Sequence, residues 1–452
     1  MIGLQDEGRV NIRPAKQMWL PFEIKGGLFT SKVDTASPVE EEQLMEKVVD
    51  RENLLTALQN VKRNGGSPGI DGMKVEQLPE YLKRKWPKIR RQLMSGTYEP
   101  QPVRRVEIPK PVGGIRQLSI PTVLDRFIQQ ALLQVLQQDW DSTFSEFSYG
   151  FRPKRSAHHA IAQSQRYLRQ GYGWVVDMDL EKFFDRVNHD KLMSEVWKRV
   201  TDRRVNVLIH GFLRSGVEHE GKLLKTETGT PQGGPLSPLL ANLLLDNLDR
   251  ELERRGHRFV RYADDCNIHV RSKRAGLRVL KSISRFLSCH LKLSVNEAKS
   301  AVDRPWKRQF LGFTLSSRTK RRISVKAIKR FKSRVREITC RVRGRRIEVI
   351  IEELSRYMLG WRAYFNFTQV RDVLKKLDSW IKRRLRCYLW KQWGRRGYWE
   401  LRRRGVSSDL AWNTSKSAHG PWRLSRSPAL AFALPTKYFT QLGLPVLYSK
   451  ST

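Results

Sequence analysis

The stretch FVRYADDCNIHV (residues 259–270) alternates like a half-buried strand, yet two adjacent acids, Asp264 and Asp265, sit inside it. Aspartate is a poor strand former, and neighbouring carboxylates repel unless something positive holds them. A second short apolar strand signal, WVVDMDL (174–180), carries Asp177 and Asp179, which share a face because side chains two apart in a strand point the same way. If the two strands are neighbours in one sheet, Asp179 and the Asp264–Asp265 pair converge. Three carboxylates in one place need a cation to stay ionised, and hard oxygen ligands suit Mg²⁺. Two such ions about 3.5–4 Å apart would clamp the attacking and leaving oxygens of a phosphoryl transfer. A lone Asp-Asp pair is also compatible with a turn or a solvated edge. The expectation set here is that these acids occupy a strand because they hold metal at a fixed position.

Charge narrows the partner. The chain has 86 Lys plus Arg against 45 Asp plus Glu, a formal net charge of +41. So large an excess points to nucleic acid, because neutralising phosphates releases counterions. No segment approaches about 18 uninterrupted apolar residues, and Met1 is not followed by a charged-then-apolar leader, so no membrane partner is expected. With 452 residues, 39% hydrophobic, there is room for two or three domains with ordinary cores. Cys266, Cys289, Cys340 and Cys387 are scattered with no C-x-x-C pair. That pattern excludes a Cys-rich zinc module and fits a reducing, intracellular compartment.

Along the chain, residues 1–39 show no clear period and read as a loosely ordered extension. Helical spacing begins at residue 40 and stops at GGSPGIDG (65–72), a turn-forming run. A second helix is expected near Val75–Met94, a strand over 103–110 running into a Gly-Gly turn, and an amphipathic helix over 121–140 with Pro121 at its start. GTPQGGPLSP (229–238) opens a long apolar helix. After about Ser316 the composition shifts: residues 316–404 hold 29 Lys/Arg against 7 Asp/Glu, with aromatics interleaved. Three helices read out there, over 326–342, 348–366 and 370–393. The division expected is an N-terminal block and fingers over 40–172, a palm over 173–315, a basic helical domain over 316–400 and a short appendage over 401–452.

Several of these pieces carry a resemblance. YADD (262–265) resembles the central motif of reverse transcriptases, VVDMDLEKFFDRVNHD (175–190) their other acid motif, and GTPQGGPLSPLLANLLLDNLD (229–249) their template- and nucleotide-positioning motif. IPKPVGGIRQLSIPT (108–122), SYGFRPKRSAHHA (148–160), LKLSVNEAKS (291–300) and FLGF (310–313) follow the family's order. RYMLGWRAYF (356–365), LDSWIKRRLRCYLWKQW (377–393) and the segment 420–444 look like the thumb or maturase part and the C-terminal segment of bacterial group II intron reverse transcriptases, of the compact type lacking an endonuclease domain. The resemblance spans residues 45–448 and implies a right-hand polymerase: fingers, an α/β palm with an antiparallel sheet, then an all-helical thumb.

What it implies residue by residue is as follows. Asp179, Asp264 and Asp265 are the catalytic acids and metal ligands for two Mg²⁺, joined by the backbone carbonyl of Leu180. Phe184 is the aromatic that would collide with a 2′-hydroxyl, its neighbour Phe183 being core. Lys110 and Arg116 grip the incoming triphosphate, suited to it by point charge and planar fork respectively. Gln232 packs near the nascent pair, and Lys299 is either an acid for the leaving pyrophosphate or a surface lysine. Arg152, Arg383, Arg384, Arg386 and Lys391 are expected nucleic-acid contacts, tracking an A-form hybrid by its backbone; Trp361, Trp380 and Trp390 are expected mainly in the core. Asp177 reads as a structural acid, Asp185, Asp246 and Asp249 as solvated or capping acids, and His158, His159 and His189 as structural or phosphate-contacting. The implied activity is RNA-directed DNA synthesis from dNTPs on a DNA primer, with intron RNA bound to assist splicing and retrohoming, by a monomer or homodimer in a bacterial cytoplasm, associated with the nucleoid. An RNA-binding splicing factor with a vestigial polymerase, or a host-adapted enzyme of repair or defence, are the rival expectations.

Overall fold

The computed structural model describes residues 43–109, 115–342 and 344–448, with the Arg116 side chain also left out. The expected extension 1–39 and Lys110 lie outside the described residues. Contacts divide the chain into two units. One takes in the chain up to Ser164 together with Trp174–Val302, and the other Gln165–Gly173 together with Asp303 onward. Most of the segments expected as fingers and palm thus fall in one unit, whereas Gln165–Gly173 goes with the second, whose main part begins at Asp303 rather than after residue 315.

In the first unit, helix α1 (Arg51–Asn64) starts on Asp50, whose carboxylate accepts from the amides of Glu52 and Asn53, satisfying donors a helix start leaves open. It ends at Gly65, which has φ +61°. Helix α2 (Val123–Asp141) is capped by Thr122 rather than begun by Pro121: the threonine hydroxyl accepts from the Asp125 amide at 3.1 Å. Strands β1 (Val103–Pro109) and β2 (Ile115–Ile120) form an antiparallel hairpin. β4 (Val217–His219) joins β1 in parallel and pairs with β5 (Lys222–Leu224), for a sheet order β2-β1-β4-β5.

The second sheet has the order β6-β7-β3-β8, from β3 (Trp174–Met178), β6 (Arg258–Tyr262), β7 (Asp265–Val270) and β8 (Ala301–Asp303). β3 and β6 both run antiparallel to the central β7. Helix α3 (Ser237–Arg254) buries Leu240, Leu243, Leu244 and Leu248 in the same core as Val176, Phe259 and Ile268 of the sheet. Burying a Leu of this kind contributes roughly 1.5–3 kcal/mol, so this helix anchors the sheet.

The second unit packs helices α4 (Val325–Ile338), α5 (Ile347–Phe365) and α6 (Asp372–Trp393) around an aromatic seam. Phe331 lies 4.4 Å from Trp361 and 5.5 Å from Tyr357, centroid to centroid, and Trp361 lies 4.6 Å from Phe365. The hairpin β9 (Phe313–Leu315) and β10 (Arg321–Ile323) belongs to this seam through Phe313, 5.3 Å from Phe365, which is why the unit starts early. It also makes the unit more than all-helical. Trp390 is buried, whereas Trp361 and Trp380 are half-buried, and Trp380 is ringed by Lys332, Arg336 and Arg384 at 5.6–5.7 Å. No helix among the described residues is long and apolar enough to cross a membrane.

Residues 401–448 include short helices tied to α6. Its buried Asp378 accepts from the amides of Leu447 and Tyr448 at 2.8 and 3.0 Å. Asp378→Ala would leave two amides without their acceptor, at about 1–3 kcal/mol for each one that stays buried. The expected outcome is a lower urea midpoint and faster amide exchange at Leu447 and Tyr448; unchanged exchange there would show that the clamp is not what holds this end.

Candidate active site

The acids gather at one end of the β6-β7-β3-β8 sheet. The registered pair Met178↔Cys266 puts Asp179, one residue past the end of β3, beside Asp265, the first residue of β7. Asp264 is not in a strand. Tyr262 pairs directly with Asp265, so Ala263 and Asp264 are the two-residue turn of the β6–β7 hairpin. Ala263 adopts φ +57°, a conformation costly for any residue with a Cβ. The expectation of two acids inside one strand is corrected accordingly: a two-residue turn lifts Asp264 out of the ladder.

Electrostatics reflect the crowding. Asp265 is open to solvent on one side, but partial burial on its other sides, and then the charges of Asp264, Asp177 and Asp179, push its carboxyl up to about 7, with Lys299 opposing them. Because the carboxyl stays accessible, the like charges are the part of this shift that a bound cation would reverse. Lys299 donates to Asp179 Oδ2 at 3.1 Å, so it is paired with a carboxylate and not a free surface lysine. Segment 294–300 fixes the end of β3: the Asn296 amide donates to the Asp179 carbonyl at 2.8 Å, the Asp179 amide to Ser300 Oγ at 3.0 Å, and the Glu181 amide to the Ser294 carbonyl at 2.9 Å. Leu180 is buried and bridges Val295. Asp177 lies half-buried in β3 opposite Asn267.

Among the described residues no group of three His, Cys, Asp or Glu side chains forms a ready metal cage. The donor set still fits Mg²⁺, which takes one or two carboxylates and completes its shell with water and substrate phosphates.

The loop 229–234 sits against this end. Phe183 is buried at 2% exposure and Phe184 half-buried, their rings edge to face at 5.2 Å. The Thr230 amide donates to the Phe184 carbonyl and the Gly229 amide to that of Val187, both at 2.7 Å. His189, buried, contacts the Gly229 carbonyl through Nε2 at 2.7 Å; burial lowers its pKa, which fits a structural imidazole. Gly229 has φ +94°, and a Cβ there would lie 2.9 Å from the Phe184 carbonyl oxygen, so loop and aromatic are pressed backbone to backbone. Gln232 reaches Asp185 Oδ1 at 3.5 Å, and its carbonyl accepts from the Ser119 amide of β2 at 3.0 Å. Arg116 pairs through its backbone with Ile108. His159 is exposed on the helix Ala157–Arg169.

Other expected positions are placed differently. Arg152 is 7% exposed and donates to both Asp141 carboxylate oxygens and to the carbonyls of Asp141, Ser145 and Ser148. A guanidinium whose donors are spent this way has none left for a phosphate, so its role is structural. Arg383 donates to Ser425 Oγ and the Trp422 carbonyl, Arg384 to Thr339, and Arg386 to the Leu434 carbonyl. Each ties the second unit together with part of its fork. Lys391 is exposed. Asp185 is exposed as expected, but Asp246 and Asp249 are buried on α3. Asp246 takes Arg199 and Arg250, and Asp249 takes Arg261. Sequence reading missed Arg261 and Asn242, although a signal was present: Asn242, Asp246 and Asp249 recur at helical spacing within an apolar helix, and Arg261 interrupts an apolar strand.

Comparison with known proteins agrees with this geometry. Residues 108–315 match the family "Reverse transcriptase (RNA-dependent DNA polymerase)", and residues 328–405 match "Group II intron, maturase-specific domain". The chain is 40% identical over 193 residues to Protein YkfC of Escherichia coli, covering 42% of this chain and 51% of that one. It is 38% identical over 195 residues to the group II intron-encoded protein LtrA of Lactococcus lactis, covering 43% and 32% respectively. A putative COX1/OXI3 intron 2 protein of Saccharomyces cerevisiae is 27% identical over 403 residues, 76% of this chain and 46% of that one. The chain therefore spans between a third and about half the length of these relatives. A chain of a partial Cas6-RT-Cas1–Cas2 complex aligns over 54% of this chain and 42% of its own, with 25% identity and a TM-score of 0.36, too low to carry an argument. The chain thus carries a reverse transcriptase domain followed by a group II intron maturase-specific domain, and its relatives include intron-encoded proteins.

Proposed function

We propose that the chain is an RNA-directed DNA polymerase that extends a DNA primer on an RNA template. The observation that carries this reading is the meeting of Asp179 with Asp264 and Asp265 at one end of the sheet, within the residues matched to reverse transcriptases. Asp179, Asp264 and Asp265, with the Leu180 carbonyl, would hold two Mg²⁺. When bound, those ions supply charge stabilisation to the attacking 3′-hydroxyl oxygen and to the leaving pyrophosphate. The protein contributes position. Phe184, braced by Phe183 and by the 229–230 backbone, presents the ring that a 2′-hydroxyl would strike. Gln232, in the same loop, is tied to β2 by the Ser119 amide, where the nascent base pair is placed in this reading. Lys110 and Arg116, on either side of the Pro-Val-Gly-Gly run in the sequence, would grip the triphosphate. Lys299 holds Asp179 Oδ2 at 3.1 Å, and its ammonium would turn to a substrate phosphate once Asp179 served as a metal ligand.

The second unit supports the hybrid. Its basic excess and the half-occupied forks of Arg383, Arg384 and Arg386, with exposed Lys391, suit backbone contacts to an A-form duplex. By the names of its relatives, the RNA it serves is a group II intron, bound to assist splicing and copied during retrohoming in a bacterial cytoplasm.

Primer extension on an RNA template with Mg²⁺ tests the reading. Asp264→Ala should cut DNA synthesis by about 10³-fold or more while leaving RNA affinity nearly intact; equal loss of both would make that acid structural. Phe184→Ala should raise ribonucleotide incorporation roughly tenfold or more, measured by competition between dNTP and rNTP. Unchanged discrimination would move the sugar gate elsewhere.

A further inference from the structure

The turn that presents Asp264 has its own support, buried behind it. Arg261, three residues earlier on β6, is fully buried. Its Nε and Nη2 take the Asp249 carboxylate of α3 at 2.5–3.0 Å. Its remaining terminal nitrogen, Nη1, donates at 3.0 Å to Asn242 Oδ1 and at 3.0 Å to the carbonyl of Ala263. Asn242, 1% exposed, passes the chain on: its Nδ2 donates to the Gly150 carbonyl at 2.8 Å. Gly150 lies flat against the turn, for a Cβ there would come within 2.3 Å of the Ala263 nitrogen. The Tyr149 amide and the Phe147 carbonyl pair with the Arg261 backbone, both at 2.9 Å. The turn is thus held from two sides by one connected set of bonds running to the core helix.

We infer that Arg261, fixed by Asp249 and Asn242, is a positioning residue that sets the orientation of Asp264 through the Ala263 carbonyl. The physical step is short. A peptide unit is planar, so fixing the Ala263 carbonyl also fixes the amide nitrogen and Cα of Asp264. The left-handed φ of Ala263 is a conformation an alanine leaves readily unless its neighbours hold it. Arginine is suited to this position as no other side chain is. Its planar fork meets the carboxylate in two places while a third nitrogen reaches the amide and the carbonyl, which an ammonium on one stem does not do. A displacement of about 1 Å at a reacting group costs on the order of 10²-fold in rate, so a single bond to the turn is enough to matter.

This inference rests on the reading of Asp264 as a reacting acid, and its test separates the two. Removing one charge of a buried pair strands the other and destabilises the fold, so the informative variant is the double Arg261→Met, Asp249→Leu. It fills the space with apolar atoms, a replacement that is often neutral for stability, and deletes the bond to the Ala263 carbonyl. Primer extension with wild type, the double variant, Arg261→Lys and Asp264→Ala is read as kcat and dNTP KM, beside thermal unfolding. The expected result is a double variant that melts near the wild type, with kcat lower by about 10²-fold and KM within about twofold. Arg261→Lys, assayed well below its melting temperature, should fall between the two. Wild-type kcat in either folded variant overturns the inference, as does a loss of activity that only tracks the unfolded fraction. Full synthesis by Asp264→Ala would instead overturn the reading of Asp264 as a reacting acid, on which the inference rests.

Discussion

Four carboxylates, Asp177, Asp179, Asp264 and Asp265, are brought to one end of a small sheet, and their mutual repulsion is the constraint around which the first unit is arranged. Burial first, and then like charges this close, raise the Asp265 carboxyl to about 7. A protein gains nothing from such a cluster unless a cation or a proton relieves it. Everything adjoining reads as a means of holding the acids in place regardless. Segment 294–300 pins the end of β3 by backbone and serine bonds, Lys299 supplies one positive charge, and the hairpin turn is clamped to α3.

Beyond the acids, the organisation is one of rigid backing and an open front. Helix α3 is both the apolar anchor of the sheet and the source of Asn242, Asp246 and Asp249, three polar groups that a core helix tolerates only when each finds partners. They do: Arg261, Arg199, Arg250 and the Gly150 carbonyl absorb them. On the front, the 229–234 loop is pressed on the Phe183–Phe184 turn, with His189 beneath it as a neutral, buried strut. The second unit uses arginine in another way. There arginines on α6 take the oxygen acceptors at the ends of neighbouring helices, Thr339, Trp422 and Leu434 among them, and so tie those helices to it.

Much of this was legible in the sequence wherever chemistry demands a residue type. The strand before Asp179, the long apolar helix after GTPQGG and the three long helices of the second unit stand within a few residues of where periodicity put them. The failures have physical causes. An alternating strand pattern hides a two-residue turn, because Ala263 carries no glycine or asparagine to announce its left-handed φ. Arg152 looks like one of 86 basic residues, and only tertiary folding reveals the carboxylate and carbonyl oxygens that surround it. Asp249 looks solvated because its partner lies 12 residues away on another element. The second unit starts at Asp303 because Phe313 packs with Phe365, a pairing that composition does not encode.

The most direct measurement is the number of divalent ions held at the acids. Mn²⁺ titrated by electron paramagnetic resonance into the full chain, with an RNA–DNA primer-template and a non-hydrolysable dNTP, counts them. Two bound ions per chain for the wild type, falling for Asp264→Asn with primer-template affinity unchanged, is the expected result. Identical ion binding by the two proteins would contradict the claim that these carboxylates are gathered to hold metal.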